Sequence, residues 1–543
     1  MSLKEMFHLD FSSIDFNKHN FVRTTLEHLR NLLESLYKEN LSLKSQLQQL
    51  KDEINRLKGQ KGKPDIKANS SDENSKPDKH KFIQPKKRWK KRSKLDKVKI
   101  DDTKVVKYEG VLPLDAEHKG YRSIVVQDIA INTNNIEYKL ERYYSPSQGK
   151  TYEALVPDHI NGEFGATLKS WVLFWCFNSR MSEQKIYQLL TDTGISISQG
   201  QISNIIIKNQ DKFHKEKIEI VSAGIKSTSY QHIDDTGARV NGVNQYFTVL
   251  CNDYYSAFFI RPKKDRLTVI DILSQEEELS YLINSYALTF LKERNLKSSV
   301  ISALSSFLQM PAMHQDSFEK ELTHLIPELK NRQKTLILEA AAIAAYQEKH
   351  SSAVIEKIVS DDAKQFHDIT RLRALCWIHE ERHYQKLTPL FLHHQELVAD
   401  FRSQIWEYYY ELTQYKKNPN EKDKERLSAS FDEIFSTQTG YDELDKRIRL
   451  TRAKKDHLLV VLTYPEIPLH NNTAELALRS YIIKRKISFG TRTDEGTQSW
   501  ETFFTIMDTS RKLGVNFRDY LYDRISKLYK MPSLASLIIS VPP

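Results

Sequence analysis

Three acidic residues stand where a chain could put them to chemical use. Asp234 ends the strand-like run Gln231-His-Ile-Asp-Asp-Thr-Gly, Asp361 follows the apolar pair Ile358-Val359, and Glu475 sits in Leu469-His-Asn-Asn-Thr-Ala-Glu-Leu-Ala-Leu-Arg. Carboxylates at strand ends can share divalent ions. Hard oxygen ligands suit Mg²⁺ or Mn²⁺, and two such ions about 4 Å apart activate a nucleophile while stabilising the leaving oxygen. Each acid also has a plainer reading. Asp234 and Asp361 could be turn formers, with Asp235 or Asp362 as the functional neighbour. Glu475 and Arg479 fall i,i+4 on a helical pattern and could be a surface ion pair. Spacing alone does not assemble acids so far apart; a fold must do it.

The elements that could position them are legible in outline. Thr228–Asp234, Gln245–Asn252 and Ser256–Pro262 are apolar or β-branched, with Asn241-Gly242 as a hairpin signal between the first two. Helical patterning covers 266–350, including the alanine-rich Glu339–Tyr346. Short strand-like segments end at Ser360 and span Arg373–Trp377. Residues 390–455 are long, charged and helical, an all-α insertion. Further helices fill 471–530, with Gly514 as a stop after Lys512 and Leu513. Upstream, Ser182–Leu190 and Ser198–Asn209 are two short helical patterns around a Gly-containing turn, and Ser198 with Gln201 is a capping-box start. A helix-turn-helix fits, its second helix offering Gln199, Gln201, Ser203, Asn204 and Lys208. Such helix pairs also occur in ordinary α domains.

The N-terminal third has a different character. Leu26, Leu29, Leu33, Leu36, Asn40, Leu43, Leu47, Leu50, Ile54 and Leu57 alternate in steps of three and four, a heptad seam with Asn40 at an a position. Self-association through a leucine-zipper-like coiled coil over 22–58 is the expectation; the alternative is one amphipathic helix packed on its own domain. A basic, flexible linker should follow over 59–96. Residues 58–95 hold 14 Lys/Arg and 4 Asp/Glu, which accounts for the whole chain's net charge of +10. Within it Lys86, Lys87, Arg88, Lys90, Lys91 and Arg92 surround Trp89, cations for phosphates and an indole that can stack on a base. A solvated linker explains the same charges. Residues 97–157 alternate in short apolar stretches such as Tyr121–Ile131, which predicts a small β-rich module.

At 543 residues the chain has room for three or four folding units, and its 39% hydrophobic and 28% charged content excludes disordered and fibrous classes. Its longest apolar run, Trp171–Phe177, is far short of the roughly 18 residues of a membrane span. Three scattered cysteines, Cys176, Cys251 and Cys376, build neither a disulfide framework nor a four-cysteine zinc knuckle. The reading is of a cytosolic protein.

Four blocks, with a closing segment beside them, carry a resemblance to the transposases of the insertion-sequence-66 family, bacterial DDE enzymes, over residues 22–530. The zipper-like start precedes a basic linker. Ile233-Asp-Asp-Thr-Gly resembles the family's hydrophobic-Asp-Glu-Thr segment. Cys376-Trp-Ile-His379 resembles its Cys-Trp-x-His segment. Pro468-Leu-His-Asn-Asn-Thr-Ala-Glu-Leu-Ala-Leu-Arg479 resembles its Asn-Asn-x-x-Glu-x-x-x-Arg block, and Leu513-Gly-Val-Asn-Phe-Arg-Asp-Tyr-Leu its closing segment.

The resemblance implies that Asp234, Asp361 and Glu475 are the catalytic and metal-binding triad, with Asp361 preferred to Asp362 by alignment to the family's Asp-Gly-Tyr. It implies an α/β ribonuclease-H-like catalytic core over 226–490 with all-α insertions at about 275–350 and 390–455. A helical, helix-turn-helix-like region over 160–225 precedes that core and a helical segment over 491–543 follows it. The activity implied is metal-dependent cutting of DNA at an element's terminal repeats and joining of the 3′ ends to target DNA, with Mg²⁺ or Mn²⁺, two per site. Arg479, Lys484, Arg485, Lys486 and Arg492 then face phosphates. Partners are DNA, a second copy through the coiled coil and accessory proteins of the element, and the location is cytoplasmic and nucleoid-associated. The alternative is a catalytically silent DNA-binding or regulatory derivative. The sequence departs from the family in one respect: the cysteine-rich N-terminal segment is absent, and near Glu141–Tyr152 stand Ser145 and Ser147. No zinc site is therefore expected, and Cys376 and His379 read as structural support.

Overall fold

The computed structural model describes residues 20–57, 99–107, 110, 116, 121–129, 132–157, 162–276, 278–348 and 354–541. The basic cluster Lys86–Arg92 lies outside them. The chain divides into two units, Glu39–Asn135 and the remainder.

Heptad leucines without a helix breaker give one long helix, α1 (Asn20–Leu57). Its seam stays open: Leu29, Leu33, Leu36, Leu43, Leu47, Leu50 and Ile54 are all exposed. A different face of its first half packs on the chain's own helices. Asn31 donates to the Gly440 carbonyl at 2.9 Å, Lys38 pairs with Glu443, and the buried Glu34 accepts from the Leu390 amide at 2.8 Å and sits 3.1 Å from His394 Nδ1. The packed face is what the single-helix alternative expects, and the exposed heptad seam lies on another face of the same helix.

Among the described residues of 97–157, the β-rich expectation is met by a short hairpin, Arg142–Ser145 against Lys150–Glu153. Residues 121–129 form no strand, and Ile124, Val126 and Ile129 are exposed. Alternation makes a strand only where a neighbour supplies ladder hydrogen bonds.

Two capped helices follow, α2 (Glu183–Asp192) and α3 (Gln199–Ile207). The Ser182 hydroxyl accepts from the Lys185 amide and the Ser198 hydroxyl from that of Gln201. The main sheet has five strands: β1 (Gln231–Val240), β2 (Val243–Cys251), β3 (Ser256–Arg261), β4 (Lys357–Ser360) and β5 (Leu372–Leu375). Their order is β3-β2-β1-β4-β5, the first three antiparallel and β4 and β5 parallel to β1. Asn241 and Gly242 both take positive φ, 47° and 76°, the primed turn that matches strand twist between β1 and β2. This mixed sheet is compatible with a ribonuclease-H-like core.

Helix α4 (Asn331–Glu348) carries the alanine-rich stretch. It is buried in the same core as the sheet, because small side chains let a helix approach closely, and Tyr281, Phe290 and Phe318 from the preceding segment share that core. Residues 390–455 are mainly helical and pack apart from that core. Helices α5 (Trp377–Gln385) and α6 (Leu392–Tyr415) and the helices Glu421–Ile434 and Asp442–Arg452 build a separate core around Trp377, Tyr408 and Phe431. Two long helices, α7 (Asn472–Ser488) and α8 (Asp494–Lys512), return to the sheet, and Gly514 with φ +69° follows the end of α8. No described helix is long and apolar enough to cross a membrane.

Candidate active site

Strand register brings the first two acids together. β1 and β4 run parallel with His232 opposite Val359. Asp234 lies two residues beyond His232 within β1, and Asp361 two residues beyond Val359, immediately past the end of β4, so the parallel pair delivers both acids to one end of the sheet. Asp234 feels the result. Burial, then the like charge of Asp361, with smaller pushes from Asp235 and Glu475, carry its carboxyl up to about 7 against the pull of the Asp235 amide.

The neighbouring acids are occupied differently. Asp362 is engaged by Lys454 Nζ at 2.6 Å, His367 Nε2 at 3.2 Å and Arg373 Nη1 at 3.3 Å. Burial alone raises its carboxyl, yet these cations hold it well below the usual carboxylate range. Asp235 faces Gln365 Nε2 at 2.5 Å and Lys264 Nζ at 3.6 Å. Both face side-chain cations or donors, whereas Asp234 and Asp361 accept the backbone amides of Asp235 and Ala363 and carry like charges set against each other.

Glu475 lies in the first turn of α7, and the residue that places it is Asn471. Asn471 holds the N-cap position without capping. Its side chain turns instead to β1, donating to the Ile233 carbonyl at 2.9 Å and meeting His232 Nδ1 at 2.8 Å. Burial drives His232 down to about 4, so it is neutral here despite the bond to Asn471. Asn471 N–H also donates to the Cys376 sulfur at 3.2 Å, and Trp377 N–H to the Leu469 carbonyl at 2.9 Å. The far end of α7 is fixed to the same strand: Thr491 N–H donates to the Arg239 carbonyl at 3.1 Å and Asn241 N–H to the Thr491 carbonyl at 2.8 Å. Gly490 allows this approach; its φ is +115°, and a Cβ there would stand 2.1 Å from that carbonyl oxygen. Glu475 itself pairs with Arg382 Nη2 at 3.4 Å and His379 Nε2 at 3.5 Å, both from α5. The ion pair open to Glu475 in the sequence is made with these residues.

Asp234, Asp361 and Glu475 therefore converge from a strand, the end of a second strand and a helix N-terminus. A half-buried carboxylate group of this kind, short of positive charge around Asp234, fits a hard divalent cation. Asn471 stands in the Asn-Asn-x-x-Glu block, but its role, like those of His232 and Arg382, could not be read from the sequence, because each acts through a partner remote in the chain.

The other expected residues divide. Gln199, Asn204 and Lys208 are exposed on or just after α3 and Gln201 is half-buried, its side-chain oxygen accepting from Asn204 Nδ2 at 2.9 Å. With Lys169, Lys212 and Arg524, the residues Gln201, Asn204 and Lys208 border a cavity of about 860 Å³. Arg479, Lys486 and Arg492 are exposed, and Arg485 reaches over β1 at Gly237, where a Cβ would stand 3.2 Å from its guanidinium. Lys484 is a correction. Its ammonium is buried and donates to the Met181 carbonyl at 2.5 Å, so it faces the interior and not a solvent-side phosphate.

Comparison with known proteins places these features. A family model described as "Transposase IS66 family" matches residues 161–284 and 330–499. A protein of Sinorhizobium fredii (strain NBRC 101917 / NGR234), named "Uncharacterized protein y4jO", is 33% identical over 306 residues, which cover 56% of this chain and 94% of that relative. The matched segments contain all five strands of the sheet and the whole of α7, and on that match the chain belongs to the IS66 family of transposases.

Proposed function

We propose that the chain is a DDE transposase. It hydrolyses phosphodiester bonds at the ends of an insertion sequence and joins the freed 3′ hydroxyls to target DNA by transesterification. The observation that carries this reading is the parallel register of β1 and β4, which sets Asp234 beside Asp361, with Glu475 held near them through the bond from Asn471 to Ile233.

Asp234, Asp361 and Glu475 are the residues to hold Mg²⁺ or Mn²⁺. When bound, such ions activate the attacking oxygen and stabilise the leaving one. The chain's own groups do the rest. Asn471 orients the start of α7, and Arg479, Arg485, Lys486 and Arg492 supply cations for phosphates. α3 offers Gln199, Gln201, Asn204 and Lys208 to a DNA groove. The open seam of α1 pairs two chains, because cutting and joining two element ends takes two active sites, and the basic segment 59–96 adds non-specific DNA affinity.

The test is cleavage of labelled DNA carrying the element's terminal repeats, with Mg²⁺ or Mn²⁺, comparing wild type with Asp234→Asn and Glu475→Gln. End-specific nicking that both substitutions abolish while DNA binding persists is expected. Nicking that survives both overturns the triad, and binding without nicking by wild type favours a silent DNA-binding derivative or a missing accessory protein.

A further inference from the structure

Two residues beside the carboxylates, Cys376 and His379, have no part in the reading above. The sulfur of Cys376, a ring nitrogen of His379 and a carboxylate oxygen of Glu475 all lie within 4.8 Å of one another. Cys376 and His379 are three apart, from the N-cap of α5 into its first turn, so both project from one side. The sulfur is buried and already accepts the Asn471 amide, the outer hydrogen bond that a metal-bound thiolate commonly has. His379 Nδ1 is buried with no hydrogen-bond partner among the described residues, and Nε2 stands 3.5 Å from Glu475 Oε1. Nitrogen and oxygen ligands at about 2.0–2.2 Å from a tetrahedral zinc ion are themselves about 3.4 Å apart, so this pair is already at the separation such an ion requires. From sequence, Cys376 and His379 lacked enough partners for zinc; the fold brings Glu475 to them.

A thiolate–imidazole–carboxylate set is softer than the all-oxygen group at Asp234 and Asp361 and selects zinc-class ions over Mg²⁺. Three protein ligands with an open fourth position also allow exchange with solvent. We infer that Cys376, His379 and Glu475 form a transition-metal site that shares Glu475 with the carboxylate group, so that a bound zinc-class ion draws Glu475 away and arrests cleavage. As the sulfur–metal bond forms, the Cys376 thiol gives its proton to solvent. The Arg382 guanidinium, 3.4 Å from Glu475 and 3.2 Å from His379 Nε2, is the resident cation that the ion displaces. Its side chain is 42% exposed and free to swing out. The site stands on geometry alone; the arrest rests on the proposed role of Glu475.

The full-length, chelator-treated chain titrated with Co²⁺ tests the site through the thiolate-to-cobalt charge-transfer absorption. Wild type is expected to show the band at one ion per chain and Asp234→Asn to keep it. Cys376→Ser should lose it, His379→Ala should bind at least tenfold more weakly, and Arg382→Gln should bind more tightly because the competing cation is gone. Absence of the band in wild type, or its persistence in Cys376→Ser, overturns the site. Circular dichroism of each variant separates loss of ligand from loss of fold, and His379→Ala, which spares the buried thiol, provides the second reading if Cys376→Ser does not fold. Nicking with Mg²⁺ and added Zn²⁺ then tests the arrest. Zn²⁺ should inhibit wild type and not Cys376→Ser, each relative to its own zinc-free rate. A band without inhibition keeps the metal site and removes the arrest.

Discussion

Replacing a proposed catalytic acid should make the metal-free protein more stable. In Asp234→Asn the amide oxygen can keep the hydrogen bond that Asp234 Oδ1 accepts from the Asp235 amide at 2.8 Å, while the charge facing Asp361 is removed. A carboxyl moved from 3.8 to about 7 costs the ionised native state about 4 kcal/mol; water reaching the half-buried side chain trims this to roughly 2–3 kcal/mol. The sign follows from linkage. Asp234 holds its proton more tightly folded than unfolded, so that stabilisation is complete below 3.8 and lost as pH rises to about 7. In chelator at pH 8, urea denaturation should find Asp234→Asn more stable than wild type by that amount, and the gap should close toward pH 4. Adding Mg²⁺ or Mn²⁺ at about a thousandfold over its Kd should reverse the ranking, because it stabilises the wild type by about 4.1 kcal/mol, more than that gap, and has lost a ligand in the variant. A variant less stable than wild type at pH 8, or one that gains as much from Mg²⁺ as wild type, refutes the reasoning.

Asp362→Asn should behave oppositely: it strips an anion from the buried Arg373 and one of two from Lys454, which keeps Glu380, and costs about 2–4 kcal/mol at neutral pH. Asp362 has a depressed carboxyl, so the penalty should fade below its ordinary 3.8, and Mg²⁺ stabilisation of this variant, read by the same titration, should survive. Asn471→Ala leaves the Ile233 carbonyl and His232 Nδ1 unpartnered in the interior, for a loss of about 2–4 kcal/mol in urea and a fall in nicking as Glu475 loosens. Leu43→Glu with Leu47→Glu, both on the open seam of α1, should halve the mass seen in sedimentation without lowering the melting temperature of the catalytic body. A wild-type chain that sediments as a monomer removes the coiled-coil proposal.

What could be read from the sequence was local. The Asn241-Gly242 turn, the apolar runs of β1 to β3, the helix start at Ser182, the cap at Ser198 and the stop at Gly514 depend on residues a few positions apart, and the structure has all of them. What could not be read depends on pairs remote in the chain. Asp361 and Asp362 have the same chemistry in sequence; they differ because Lys454 comes to one of them from the end of the insertion. Lys484 follows the same local pattern as Arg485 and Lys486, and only the helical packing that turns it toward the Met181 carbonyl sets it apart. Tyr121–Ile131 alternates as a strand does, yet alternation carries no information on whether a second strand is present.

The geometry also accounts for how an acid can be held steady after so large an insertion. The insertion leaves the core at Cys376-Trp377 and returns at Leu469–Asn471, and these two points touch: Trp377 N–H bonds the Leu469 carbonyl, and Asn471 N–H the Cys376 sulfur. Within the loop so closed, α6 and its neighbours have their own apolar core. Closing a longer loop costs only about 0.6 kcal/mol per doubling of its length, so the insertion's size puts little load on the site. Past the stem, Asn471 fixes the start of α7 to β1, and Gly490-Thr491 fixes its end to the same strand. Glu475 is thus positioned by the strand that carries Asp234, and motion within the insertion reaches it chiefly through α5, where His379 and Arg382 meet its carboxylate.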